Sequence, residues 1–122
     1  MTTPLLISVV DDDEGIRSAL DRLIRSAGYA VATFSSAEAF LQSSSCKQAA
    51  CLITDIDMPG MDGLALKREI CGWERPVPVI LISAFLEGYL YEDACASGAC
   101  CVLKKPFDGT TLLTCIERAI GS

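Results

Sequence analysis

Short apolar runs alternate with amphipathic stretches along the whole chain. Leu5 to Val10 precedes a helix-period segment from Glu14 to Ala27, Ala30 to Phe34 precedes Ala37 to Gln42, and Cys51 to Thr54 precedes Gly63 to Cys71. The unit returns twice more, as Val79 to Ile82 before a segment from about Glu87 to Ala96, and as Cys100 to Leu103 before Asp108 to Ile120. Short apolar runs bounded by turn signals read as buried strands, and the periodic segments between them as helices. Five such units predict a parallel sheet with helices on both faces. Right-handed crossovers then bring the C-terminal end of every strand to one edge, which is where open α/β sheets keep their ligand crevice.

Boundary residues agree with this division. Gly28 and Gly98 each follow a helical segment where a left-handed residue would end it, and Ser36 precedes Ala37-Glu38-Ala39 as an N-cap should. The polar connector SSSCKQ at 43–48 and the loop GWERPVP at 72–78 are too short to be interdomain linkers. At 122 residues the chain is expected to be one domain, residues 1–122.

Composition narrows the function. Hydrophobic residues make up 51% and charged ones 21%, the balance of a globule rather than a disordered tail. The apolar runs are too short to span a bilayer, and MTTPLLISVV, followed at once by four acidic residues, lacks the basic start of a signal peptide. A cytoplasmic chain without membrane contact is the expectation. The net charge of −6 argues against this chain alone gripping DNA, so any effect on DNA has to pass through a partner. Seven cysteines with no CxxC spacing and no histidine point away from zinc and from a disulfide framework. Cys51, Cys100 and Cys101 lie in or beside strands and Cys71, Cys95 and Cys115 in helical patterns, so most are expected to be small core hydrophobes.

The ends of the strands carry the chemistry. Asp11, Asp12, Asp13 and Glu14 directly follow the first apolar run. Alone, this cluster suits a solvated turn with Asp13 as helix cap as well as it suits a cation site. Asp55 ends the third run, where packing needs no carboxylate, and Met58-Pro59-Gly60-Met61-Asp62-Gly63 follows as a tight turn in which backbone groups can approach a ligand. Carboxylates from two strands suit Mg²⁺, which takes oxygen ligands and keeps several waters. Lys105, before Pro106, ends the fifth unit's strand and Ser83 the fourth's. A lysine at a sheet edge is often merely solvated and a serine there merely a turn residue. Opposite a carboxylate cluster, the one becomes a point charge for a phosphoryl oxygen and the other a hydroxyl donor.

In order and spacing, VVDDDEGIR, LITDIDMPGMDG, VILISAF, SGA and KKPF resemble the receiver domains of two-component response regulators over essentially the whole chain. In texture they are nearest to the nitrogen-fixation and two-component LuxR-type regulators. The resemblance implies a flavodoxin-like α/β fold, a doubly wound five-stranded parallel sheet flanked by five helices. It implies that Asp55 takes a phosphoryl group from the phosphohistidine of a sensor histidine kinase. Mg²⁺ would be held by Asp12 and Asp55, by the backbone carbonyl of Asp57, and by Asp11 mostly through water. Lys105, Ser83 and the Ala84 N–H would take the phosphoryl oxygens. Such a domain is no enzyme beyond its own phosphotransfer and dephosphorylation. It switches conformation to control an output, here transcription, with dimerisation on phosphorylation, and touches no nucleic acid itself.

The sequence departs from the family's pattern at Val102, where a switching aromatic is usual, so that output is expected to rely on loop and helix movement, with Tyr89 and Tyr91 nearby. Asp57 adds a carboxylate beside the acceptor, either tightening the metal or repelling phosphodonors, and Phe85 is placed either to shield the site or as a half-buried loop aromatic. Two other classes stand beside the receiver reading. One is a pseudo-receiver that binds partners without phosphorylation. The other is a Mg²⁺-dependent aspartyl-phosphate phosphatase, suggested by Asp55-Ile56-Asp57, although that motif follows the third strand here and not the first. The chain reads either as a stand-alone regulator or as the receiver part of a longer transcription factor, and the texture favours the second.

Overall fold

Alternate residues of each strand serve opposite faces of a single sheet, because side chains along a strand point to either side in turn. In the computed structural model, which describes residues 4–85 and 89–121 except for the side chains of 89 and 90, the strands are β1 (Leu6–Val10), β2 (Ala30–Phe34), β3 (Cys51–Asp55), β4 (Val79–Ser83) and β5 (Cys101–Lys104). All neighbours pair in parallel, in the order β2-β1-β3-β4-β5. Ile7, Val9, Ile53, Ile80 and Ile82 enter a core closed by Leu20 and Ile24 of α1 (Glu14–Ser26) and by Leu112 and Ile116 of α5 (Gly109–Gly121). Val10, Leu52, Val79 and Leu81 enter a second core on the other face. It is closed by Phe40 of α2 (Ala37–Gln42), Leu66 and Ile70 of α3 (Gly63–Cys71), and Ala94 of α4 (Tyr89–Ala96). This is the doubly wound arrangement that the sequence pattern predicts.

The helices begin where the caps say they should. Asp13 accepts from the Ile16 N–H at 3.1 Å, Ser36 from Ala39 at 3.0 Å and Asp62 from Ala65 at 2.8 Å, each satisfying a backbone donor that the first turn leaves free. Gly28 and Gly98 adopt φ of 98° and 87° after α1 and α4, a left-handed conformation that suits glycine.

Differences from the sequence reading are local. β3 and β4 run one residue beyond their apolar runs, because Asp55 pairs with Ile82 and Ser83 with Lys104 in the ladder. β5 begins at Cys101, and the connector at 43–48 contains a single 3₁₀ turn, Cys46–Gln48, that buries Cys46. The expected start of the fourth helix near Glu87 lies outside the described residues. The cysteine expectation needs correction: Cys46, Cys51 and Cys115 are buried, Cys101 is half-buried, and Cys71, Cys95 and Cys100 are exposed. Cys71 is the last residue of α3, Cys95 the penultimate one of α4, and Cys100 precedes β5 in the turn, so none of these three lies in the middle of a packed element. Among the described residues, no helix is long and apolar enough to cross a membrane.

Candidate functional site

At the C-terminal edge of the sheet, the residues after β1, β3 and β5 are each held by one more ladder hydrogen bond. Asp11 N–H donates to Phe34 O at 3.1 Å, Ile56 N–H to Ile82 O at 2.9 Å and Lys105 N–H to Ser83 O at 2.8 Å. These bonds fix the backbone from which the polar side chains leave. Asp11 is wholly buried and Asp55 is 4% exposed, while Asp12 faces solvent. One carboxylate oxygen from each of the three lies within 4.8 Å of the others. An all-oxygen set of this kind fits a hard dication such as Mg²⁺ and offers nothing to softer metals.

Lys105 closes the cluster from the far side. Its Nζ stands 2.9 Å from Asp11 Oδ2 and 3.3 Å from Asp55 Oδ2. Burial works against the ammonium, yet the hydrogen bond to Asp11 and the charges of Asp11 and Asp55 outweigh it and raise its pKa. Asp55 moves up as well, from 3.8 to about 6, first because burial penalises its charge and then because Asp11 repels it, with Lys105 opposing both. Asp11 is further tied by the Asp13 N–H on its Oδ1 at 2.9 Å, and its carbonyl accepts from Arg17 at 2.7 Å.

The raised Asp55 pKa has a sign in stability. A carboxyl group that holds its proton more tightly folded than unfolded supports the fold at low pH and opposes it once ionised. The shift to about 6 makes the charged group cost on the order of 2 kcal/mol at pH 7, with allowance for solvent screening. Asp55→Asn is therefore expected to be more stable than the native chain at pH 7 in chelator, the advantage shrinking through the window between about 6 and about 4 and vanishing below it. Thermal denaturation at several pH values measures this, and equal melting temperatures at pH 7 would show that Lys105 already neutralises the site.

The turn after β3 is built by close backbone contact. Gly63, the first residue of α3, donates to Ile56 O at 3.0 Å, and a Cβ there would stand 2.4 Å from Asp55 O and 2.8 Å from the Ile56 Cα. The expected approach of backbone to a ligand is, at Gly63, an approach of helix to strand. Gly60 has φ of 75°, and next to it Glu38 of α2 accepts from the Met61 N–H at 3.1 Å, a bond that lowers the Glu38 pKa.

Every sequence-predicted site residue is at this edge: Asp11, Asp12, Asp55, Asp57, Ser83, Ala84 and Lys105. The three carboxylates and Lys105 come together, whereas the Ser83 hydroxyl donates to the Asp57 carboxylate and accepts from the Phe85 N–H at 3.0 Å. Phe85 is 69% exposed, so the half-buried reading of that aromatic fails. Val102 is half-buried against the α2–α3–α4 core, a branched side chain with a restricted rotamer where a larger ring would swing. Sequence reading missed the Asp57–Ser83 bond, since 26 residues separate the partners and no periodicity marks an exposed carboxylate.

A parallel sheet of this order, with three carboxylates and a lysine at one edge, defines a phosphoryl-handling signalling module, and the chain belongs to the response regulator receiver domain family, whose model matches residues 7–117. It is the receiver domain of a two-component response regulator. The chain is similar to the transcriptional regulatory protein FixJ of Bradyrhizobium diazoefficiens, with 36% identity over 120 residues that make up 98% of this chain and 58% of that protein. It is similar also to the DNA-binding transcriptional regulator NtrC of Escherichia coli, 38% identical over 95% of this chain and 25% of the relative. The chain thus spans about half the length of FixJ and a quarter of NtrC. Among solved structures, FixJ-N superposes with a TM-score of 0.85 at 31% identity, covering 98% of this chain and 96% of that one. The response regulator StyR superposes with a TM-score of 0.87 at 35% identity, covering 98% and 60%. Nothing in these similarities favours the phosphatase or pseudo-receiver readings.

Proposed function

We propose that Asp55 accepts a phosphoryl group from the phosphohistidine of a sensor histidine kinase, and that the 122 residues act as one receiver unit. The observation that carries this reading is the shared ammonium of Lys105, 2.9 Å from Asp11 and 3.3 Å from Asp55. It leaves the acceptor carboxylate next to a fixed positive charge and two further carboxylates. With a pKa of about 6, Asp55 is mostly ionised at pH 7 and is able to attack. One of its oxygens bonds to phosphorus, the P–N bond breaks, and the electron pair leaves with the imidazole, which takes up a proton. The product is an acyl phosphate on Asp55. Lys105 Nζ then holds a phosphoryl oxygen, and the Ser83 hydroxyl and the Ala84 N–H take others. Asp12, Asp55 and the Asp57 carbonyl, with Asp11 mostly through water, would hold Mg²⁺, and the ion would neutralise charge on the transferring group.

The phosphorylated form passes its signal to a transcriptional output, through loop and helix movement rather than an aromatic at 102, and through pairing of phosphorylated copies. It works in the cytoplasm and leaves DNA contact to other parts of the machinery, in keeping with a net charge of −6. Intact mass after incubation with acetyl phosphate tests the chemistry. The expected result is one phosphoryl adduct that requires Mg²⁺ and is absent from Asp55→Asn. An adduct that persists in the variant would place the acceptor elsewhere.

A further inference from the structure

A serine hydroxyl has one proton to donate. In this fold Ser83 is wholly buried, and its proton is committed to the carboxylate of Asp57, with the Phe85 N–H filling an acceptor position at 3.0 Å. The bond is charge-assisted and therefore stronger than one between neutral groups. Asp57 is also joined to the acceptor, since its backbone N–H donates to Asp55 Oδ1 at 3.2 Å. One residue thus ties its main chain to Asp55 and its side chain to the hydroxyl that a phosphoryl oxygen on Asp55 would need.

Building on the phosphoacceptor reading above, we propose that Asp57 is a latch: a positioning residue that holds the Ser83 hydroxyl in its resting place and must be outcompeted before the switched state forms. The phosphoryl group and Asp57 compete for a single proton. Whatever free energy the Asp57–Ser83 bond contributes to the resting fold is subtracted from the gain on phosphorylation. The latch joins the β3–α3 turn to the end of β4, so its release uncouples Ser83 from that turn. A neutral, non-accepting side chain at 57 lowers the threshold for switching while leaving the backbone carbonyl at that position in place.

The test is an equilibrium titration of the chain with beryllofluoride in saturating Mg²⁺, the anion standing in for the phosphoryl group on Asp55, followed by calorimetry. Native chain, Asp57→Ala, Asp57→Asn, Ser83→Ala and the Asp57→Ala/Ser83→Ala double variant are compared. Asp57 is exposed, so its replacements are expected to fold, which circular dichroism checks. Asp57→Ala should saturate at about tenfold lower beryllofluoride than the native chain, and Asp57→Asn, which keeps an acceptor oxygen without the charge, at an intermediate level. In the Ser83→Ala background the same Asp57→Ala change should have no effect. A separate amide spectrum of unliganded Asp57→Ala should show the Phe85 N–H resonance displaced. An equal gain in both backgrounds would mean that Asp57 merely repels the anion, and no gain in either would mean that no latch exists; both overturn the proposal. Absence of binding to the native chain, with Asp55→Asn behaving identically, would instead bring down the phosphoacceptor reading beneath it.

Discussion

Lys105→Met is expected to lose about 3 kcal/mol of folding stability at pH 7 in the presence of chelator. The ammonium is bonded to both Asp11, which is wholly buried, and Asp55, which nearly is. Its removal leaves two carboxyl groups facing each other without the cation that both contact, and breaking a buried pair from one side is costly for that reason. Methionine retains an unbranched stem where Lys105 lines an apolar hollow with Ile16, Leu20, Leu23 and Phe107, so the loss measured is that of the charge. The deficit should narrow as pH falls toward about 6, because Asp55, freed of the lysine that opposes its upward shift, takes up its proton at higher pH in the variant than in the native chain. Added Mg²⁺ should recover part of it, because a cation bound only by the folded state stabilises by mass action. Urea denaturation in chelator and in Mg²⁺ measures both effects, and a variant as stable as the native chain in chelator would show that the ammonium does not hold the cluster together.

Gly63→Ala is expected to cost about 2–3 kcal/mol and to slow phosphorylation by more than about tenfold. A methyl group at this position meets Asp55 O at 2.4 Å and the Ile56 Cα at 2.8 Å, and neither is the end of a flexible side chain. Relief requires α3 and the Asp55–Ile56 backbone to move apart, which displaces the carboxylate that receives the phosphoryl group. Displacement of a reacting atom by a fraction of an ångström is expensive in rate even where the fold survives. Gly72→Ala is the control, because a Cβ there meets only Glu69 O, at 3.5 Å. Rates from acetyl phosphate and melting temperatures for the two variants decide the matter; similar behaviour would mean that the turn yields without moving Asp55.

How much of this was legible beforehand varies with the kind of interaction. Strands and helices followed from short-range apolar patterns, and the two cores are those patterns folded onto either side of one sheet. Asp11, Asp55, Ser83 and Lys105 were legible because each is a polar residue at the end of an apolar run, and parallel topology sends all such ends to one edge. The Asp57–Ser83 bond was not, because it depends on the side-chain rotamers of two residues, one in the turn after β3 and one at the end of β4. Gly63 was read as freedom for a ligand, since a sequence shows that a side chain is missing but not what occupies its place. Cys71, Cys95 and Cys100 show the converse limit: an apolar residue type near the end of an element does not say which way it points.

The strand order has a mechanical side. Two of the three clustered carboxylates arise where β1 ends and the third belongs to β3, both inner strands, and Ser83 ends β4, another inner strand, while Lys105 follows the edge strand β5. The negative half of the site and the hydroxyl are therefore anchored to inner strands, and the positive charge to the margin of the sheet. Extra negative charge on Asp55 would pull on Lys105, whose strand has a neighbour on one side only. An electrical event in the centre would then become a displacement at the rim, in the way a transducer turns voltage into travel.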